Sequence, residues 1–144
     1  MAVPSAQLVS ALQATADRLA TGAPYQWTHQ GHCNCGHLVQ TLTHLSPAAI
    51  HAAALRTPGD WAEKARDYCP GTHLPLDTIF DSLYQAGLSS DDIANLERLA
   101  DPRIRALIPQ GAWLDYRNRD HVVAYLRAWA LQLEAQLVAT TAYA

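Results

Sequence analysis

The chain has 144 residues, 49% of them hydrophobic, and a formal net charge of -3, so it can bury one core unaided and reads as a single domain over residues 1–144. It has no lysine- or arginine-rich run and no stretch near ~20 uninterrupted apolar residues, which sets aside nucleic-acid and membrane partners. The first residues carry neither a positive segment nor an apolar stretch of secretory type, so a cytoplasmic protein is expected; an odd cysteine count there favours metal binding or a reactive thiol over a disulfide framework.

Proline, glycine and N-cap residues cut the sequence into helix-length pieces, and strand-type alternation is almost absent. The fold class is all-α: a compact bundle of about six to eight short helices closed by a long C-terminal one. Residues 5–20 place Leu8, Leu12, Ala16 and Leu19 at helical spacing, ended by Gly22-Ala23-Pro24. After a loop containing Trp27, His29 and Gly31, a helix is expected from Cys35 to Leu45, inward through Leu38, Leu42 and Leu45. Ser46-Pro47 opens a second one to about Arg56. Asp60 caps a short helix toward Tyr68, and Asp77 is expected to cap one that carries Ile79, Phe80, Leu83 and Tyr84. Ser89 or Ser90 starts the next, with Ile93, Leu96 and Leu99 inward, and Asp101-Pro102 starts another to about Ile108, before a loop at Pro109-Gln110-Gly111. From about Arg117 to Leu137, Val122, Leu126, Trp129, Leu133 and Leu137 recur at spacings of four, three, four and four, one apolar stripe of a long helix. The tail 139–144 is expected to fray.

All three cysteines lie in two short runs, Cys33-Asn34-Cys35 and Cys69-Pro70-Gly71-Thr72-His73. In C-x-C, an extended or turning backbone puts both thiolates on one side; in C-x3-H, Pro70-Gly71 turns the chain so that Cys69 and His73 converge. Asn34 and Gly36 can supply N-H donors to sulfur, which raise a cluster's potential.

This ligand pattern resembles the CDGSH-type iron-sulfur family, in which C-x-C and C-x3-H hold a [2Fe-2S] cluster. The resemblance implies Cys33 and Cys35 on one iron and Cys69 and His73 on the other, with Gly71 matching the family's glycine. Thirty-three residues separate Cys35 from Cys69, Pro70 stands in place of an aspartate, and the family's domain is built largely from strands, so the likeness extends to the ligand set on a different, helical fold. It implies electron transfer, redox sensing or cluster transfer with an unidentified redox partner, without catalysis on a bound substrate. A [4Fe-4S] cluster and a structural Cys3His zinc site share the same ligands; zinc more often uses C-x2-C, so iron is preferred. His32 or His37 could replace His73, and a homodimer is left open.

The alternative of a different class is a cysteine hydrolase or acyltransferase, with Cys35 at a helix N-terminus and His121, beside Asp120, as base. Buried cysteines of no special role are the bland reading. His37, His44 and His51 are seven apart, but Ser46-Pro47 breaks the register. Trp27, Trp61, Trp113 and Trp129 read as core or cluster-shielding aromatics, and Asp91, Asp92 and Glu97 as a solvated helix face that holds no acid-base pair.

Overall fold

A computed structural model describes residues 2–109 and 113–142, with side chains to residue 139; part of the expected Pro109-Gln110-Gly111 loop and of the tail lies outside them. Every regular element among these residues is a helix: α1 (Ala6–Ala20), α2 (Asn34–Thr43), α3 (Pro47–Ala54), α4 (Trp61–Arg66), α5 (Pro75–Gln85), α6 (Ser90–Arg98), α7 (Pro102–Arg105) and α8 (Arg119–Ala142). None of them is long and apolar enough to cross a membrane.

The caps explain most starts. Ser5 accepts from the Leu8 N-H at 3.0 Å, Ser46 caps α3 ahead of Pro47, and Ser89 forms a reciprocal capping box with Asp92. Asp92, expected on a solvated face, is therefore held at 4% exposure by the box. Helix α5 departs from expectation. It begins at Pro75 with Leu74 as an N-cap that makes no side-chain bond, while Asp77 sits inside the first turn and accepts from Thr72. Proline at the first helical position has φ preset and needs no donor, so it outcompetes the later aspartate. Helix α2 stops at Thr43, earlier than expected, because His44 takes a left-handed conformation (φ 61°), and Leu45 is turned out to solvent.

Helices α1 and α8 form the principal packed pair. Leu8, Leu12, Ala16 and Leu19 from one, and Val122, Leu126, Trp129 and Leu133 from the other, are all buried. Each large side chain removed from water there contributes about 2 kcal/mol. Helix α2 is central, touching α1, α3, α5 and α6, and α4 lies on α6. The link between α2 and α6 includes a buried polar anchor. Asn34, with no exposed surface, donates through Nδ2 to the carbonyls of Leu96 (2.9 Å) and Glu97 (3.1 Å), while its Oδ1 accepts from the Cys35 N-H at 2.8 Å. One side chain thus satisfies two end carbonyls of α6 and fixes the N-terminus of α2 against the C-terminus of α6.

Candidate functional site

Where α2 begins, α4 begins and α6 ends, the chain leaves a cleft of about 290 Å³, lined by Trp27, Thr28, Gln30, Cys33, Gly59, Asp60, Trp61 and Glu97. The loop before α2 reaches it through contacts only glycine allows. A Cβ on Gly36 would lie 2.3 Å from the Gln30 carbonyl oxygen, and one on Gly31 would lie 2.1 Å from that of Pro47. The loop's backbone therefore presses directly on α2 and α3.

Glu97 is the chemical centre of the cleft. Its carboxylate caps α4, Oε2 accepting from the Trp61 N-H at 2.6 Å, while Oε1 pairs with the Arg98 Nε at 3.8 Å and the carboxyl shares a hydrogen bond with Asp60. The residue is 3% exposed. Burial first, then the hydrogen bond and charge of Asp60, push its carboxyl up to about 7, against the pull of the Trp61 N-H and Arg98. Its place in the last turn of α6, at the negative end of the helix, acts in the same direction. At Asp60 burial also raises the carboxyl, but the Glu63 N-H, the Glu97 carboxyl and Arg98 outweigh it and hold the group below its ordinary value. The two neighbouring acids are thus split: Asp60 is ionised at neutral pH while Glu97 sits near its midpoint.

Around them, the Trp27 indole donates to the Glu97 carbonyl at 3.4 Å and packs on Tyr116, and the Arg98 guanidinium lies 5.1 Å from both ring centres. Trp61 is 1% exposed, and its indole N-H is directed at the Cys33 sulfur, while Gln30 Oε1 has no hydrogen-bond partner. The sequence's one lysine, Lys64, is 3% exposed and donates to the Gly59 carbonyl. Desolvation lowers its pKa, opposed by Asp60, Glu63 and Glu97.

Of the residues singled out by spacing, only Cys33 faces this cleft. It is the N-cap of α2, its Sγ accepting from the Gly36 N-H at 3.3 Å and lying 3.6 Å from the Gln30 carbonyl it donates to. Burial pushes its thiol up to about 11, more than the Gly36 N-H and the Trp61 indole lower it. Cys35 lies two residues further on, inside the helix. Residues two apart are rotated by about 200° there, so its thiol points the other way, among Leu38, Leu83, Ile93, Leu96 and Trp129, bonded to the Ile93 carbonyl at 3.7 Å. Cys69 is exposed, its Sγ 3.9 Å from the Pro70 carbonyl, and His73 is exposed as well. As arranged, Cys33, Cys35, Cys69 and His73 do not form a ligand shell, and among the described residues no group of three or more histidine, cysteine or acidic side chains is placed to hold a metal ion.

Most of the histidines have other partners, whereas His32 Nδ1 is buried without a hydrogen bond. His37 has both ring nitrogens engaged, Nε2 with the Pro24 carbonyl at 2.7 Å and Nδ1 with Arg18 at 3.3 Å. His29 and His51 stack at 3.9 Å between centres, with His32 at 4.5 Å from His29, a cluster the spacing did not disclose. Nδ1 of His29 accepts from the Gly31 N-H and Nδ1 of His51 from the Gln30 N-H, both at 3.1 Å. Neutral rings bonded in this way carry hydrogen on Nε2, which leaves that nitrogen no lone pair for a metal. Burial raises the Cys35 thiol well above its ordinary value, against the helix N-terminus, and His121 Nδ1 accepts from the Asp115 N-H at 2.8 Å.

Comparison with protein-family models, with curated proteins and with solved structures finds no match for this chain.

Proposed function

We propose that the protein binds a small polar molecule in the Trp27–Trp61 cleft and exchanges a proton with it through Glu97. The observation that carries this reading is a carboxyl 3% exposed in the cleft wall, raised to about 7 and hydrogen-bonded to a second acid, Asp60, that lines the same cleft. A group poised at the working pH transfers protons in either direction with least penalty, and an ionised neighbour keeps the two carboxyls in different roles. Glu97 supplies the proton as an acid or receives it as a base; Asp60, fixed by Glu63 and Arg98, stays charged. Trp27 and Trp61 give flat apolar walls, and Gln30 Oε1, buried without a hydrogen-bond partner, supplies an acceptor for orientation. A cleft of about 290 Å³ limits the occupant to a small molecule or the end of a larger one.

The test uses the Trp61 indole N-H resonance as a reporter while a panel of small amides, amines and carboxylic acids is titrated into 15N-labelled protein. The reading expects at least one class to shift this resonance saturably in the wild type and to lose affinity in Glu97→Gln. If no member of the panel moves the Trp61 signal at millimolar concentration, the cleft is not a ligand site.

A [2Fe-2S] centre on Cys33, Cys35, Cys69 and His73, with a redox role, is a separate proposal. It requires the first turn of α2 to unwind so that both buried thiols face one ion. Iron with acid-labile sulfide, about two of each per chain in protein purified without oxygen, would support it. Colourless protein without either would reject it.

A further inference from the structure

The loop between α1 and α2 is fastened to α3 through imidazoles. Nδ1 of His51, in the middle of α3, accepts from the Gln30 N-H, and Nδ1 of His29 accepts from the Gly31 N-H, both at 3.1 Å. The two rings stack at 3.9 Å between centres and 15° between planes. Gly31 is buried against the start of α3, where a Cβ would lie 2.1 Å from the Pro47 carbonyl oxygen, so an N-H left without a partner there is costly.

Both bonds require neutral rings. An imidazolium carries hydrogen on both nitrogens and accepts nothing, so a proton on either ring sets a donor against a backbone donor. A second proton would put like charges on stacked rings. The surroundings offer no relief. His32 lies 4.5 Å from His29 between ring centres, its Nδ1 buried without a hydrogen bond. Helix α2 adds His37, 6.0 Å from His32, with the Arg18 guanidinium of α1 3.3 Å from its Nδ1. Beside His32, the Cys33 thiol is held neutral by burial. On α5, which also packs on α3, Asp77 accepts from Thr72 and Asp81 from Tyr68. Asp60 and Glu97 share a hydrogen bond and pair with Arg98. Among the described residues, none of the three rings is ion-paired with a carboxylate. Burial first, then His51 and His32, hold the His29 imidazole below its ordinary value.

We propose that the stacked His29–His51 pair is a proton-operated latch, which keeps Gln30 and Gly31 seated on α3 only while both rings are neutral. The sign follows from the bonds: the released loop takes up protons that the seated loop excludes, so acidification favours release. The flanks stay tied. His37 Nε2 donates to the Pro24 carbonyl in either protonation state, and the Gln40 amide holds the Gly31 carbonyl at 2.6 Å. The stretch between them is what moves, and Gln30 in it carries a buried Oε1 in the cleft wall. Acid thus withdraws an acceptor from the cleft whatever the cleft binds, and the latch is independent of the acid-base reading of Glu97.

Long-range proton-nitrogen spectra of the histidine rings and amide hydrogen exchange, taken on the intact 15N-labelled protein from about pH 7.5 to 4.5, test the latch. At the upper pH both His29 and His51 should carry hydrogen on Nε2. On acidification the Gln30 and Gly31 amide signals should shift with the midpoint of these two rings. Their protection should fall by at least about tenfold while amides of α1 and α8 keep theirs. A double variant, His29→Asn with His51→Asn, places an amide oxygen where each Nδ1 stands and accepts at every pH, so its loop should stay seated throughout. Glu97→Gln, which removes the cleft's own titrating acid, should leave the midpoint unchanged. Hydrogen on Nδ1 of either ring at the upper pH, rings that titrate without Gln30 and Gly31, or protection lost from α1 and α8 in the same step would overturn the proposal. So would a transition that persists in the double variant or vanishes in Glu97→Gln. The wild-type spectra decide the matter even if the double variant does not fold.

Discussion

Replacing Glu97 by glutamine removes the buried charge but keeps an oxygen for the Trp61 N-H, so it isolates what ionisation costs the fold. The carboxyl is raised from an ordinary 4.5 to about 7, roughly 2.5 units at about 1.4 kcal/mol each, or about 3 kcal/mol. The sign follows from proton counting. Between these two values the folded chain holds a proton that the unfolded chain has released, so stability falls as pH rises through that window and the loss is complete above about 7. Urea unfolding of wild type and variant at half-unit steps from pH 4 to 8.5 measures it, and the difference between the two curves cancels the titrating groups that do not interact with Glu97, leaving Glu97 and its coupling to Asp60. The variant should match the wild type near pH 4.5 and exceed it by up to about 3 kcal/mol above pH 7.5. Parallel curves would show that Glu97 ionises in the folded protein as easily as in the unfolded one.

Asn34→Ala should lower stability by about 3 kcal/mol in denaturant unfolding, because it leaves two end carbonyls of α6 and the Cys35 N-H buried without a partner. A loss below about 1 kcal/mol would mean that water replaces the side chain. Gly36→Ala should cost at least about 2 kcal/mol, since its Cβ meets backbone at 2.3 Å, while Gly71→Ala, with open space around it, should pay only for its positive φ; equal effects would contradict the close approach of the loop to α2. Burial holds the His37 imidazole down at about 4, against the favourable Pro24 bond. Its proton NMR titration should therefore have a midpoint well below 5, with stability falling as pH drops from about 6.5 toward 4 because the unfolded chain takes up the proton first. A midpoint near 6.5 would show that the ring is not held neutral.

What could be read from the sequence was local. The apolar spacing of α1 and α8, the Ser46, Asp60 and Ser89 caps and the Pro47 and Pro102 starts all act within a turn or two, and each appears in the fold. The cysteine runs misled in one respect. An extended or turning backbone would put both thiols of C-x-C on one side, whereas the helix begins at Asn34 and rotates the second thiol to the opposite side. Within its own helix Glu97 groups with Asp91 and Asp92 as a solvated face, and its burial depends on α4 docking over the end of α6, a contact between segments more than thirty residues apart. One local signal was present. A glutamate in the final turn of a helix opposes the dipole and calls for a compensating partner, which here is the N-terminus of α4. The His29–His51 stack had no such signal, since it depends on the loop folding back onto α3.

The most direct measurement is the carbon-13 titration of the Glu97 side-chain carboxyl, assigned by comparison with Glu97→Gln, in the ligand-free protein. An acid-base cleft requires a midpoint near 7, falling toward the ordinary range in Asp60→Asn as the neighbouring charge is removed. A wild-type midpoint at about 4.5, unchanged by Asp60→Asn, would contradict it.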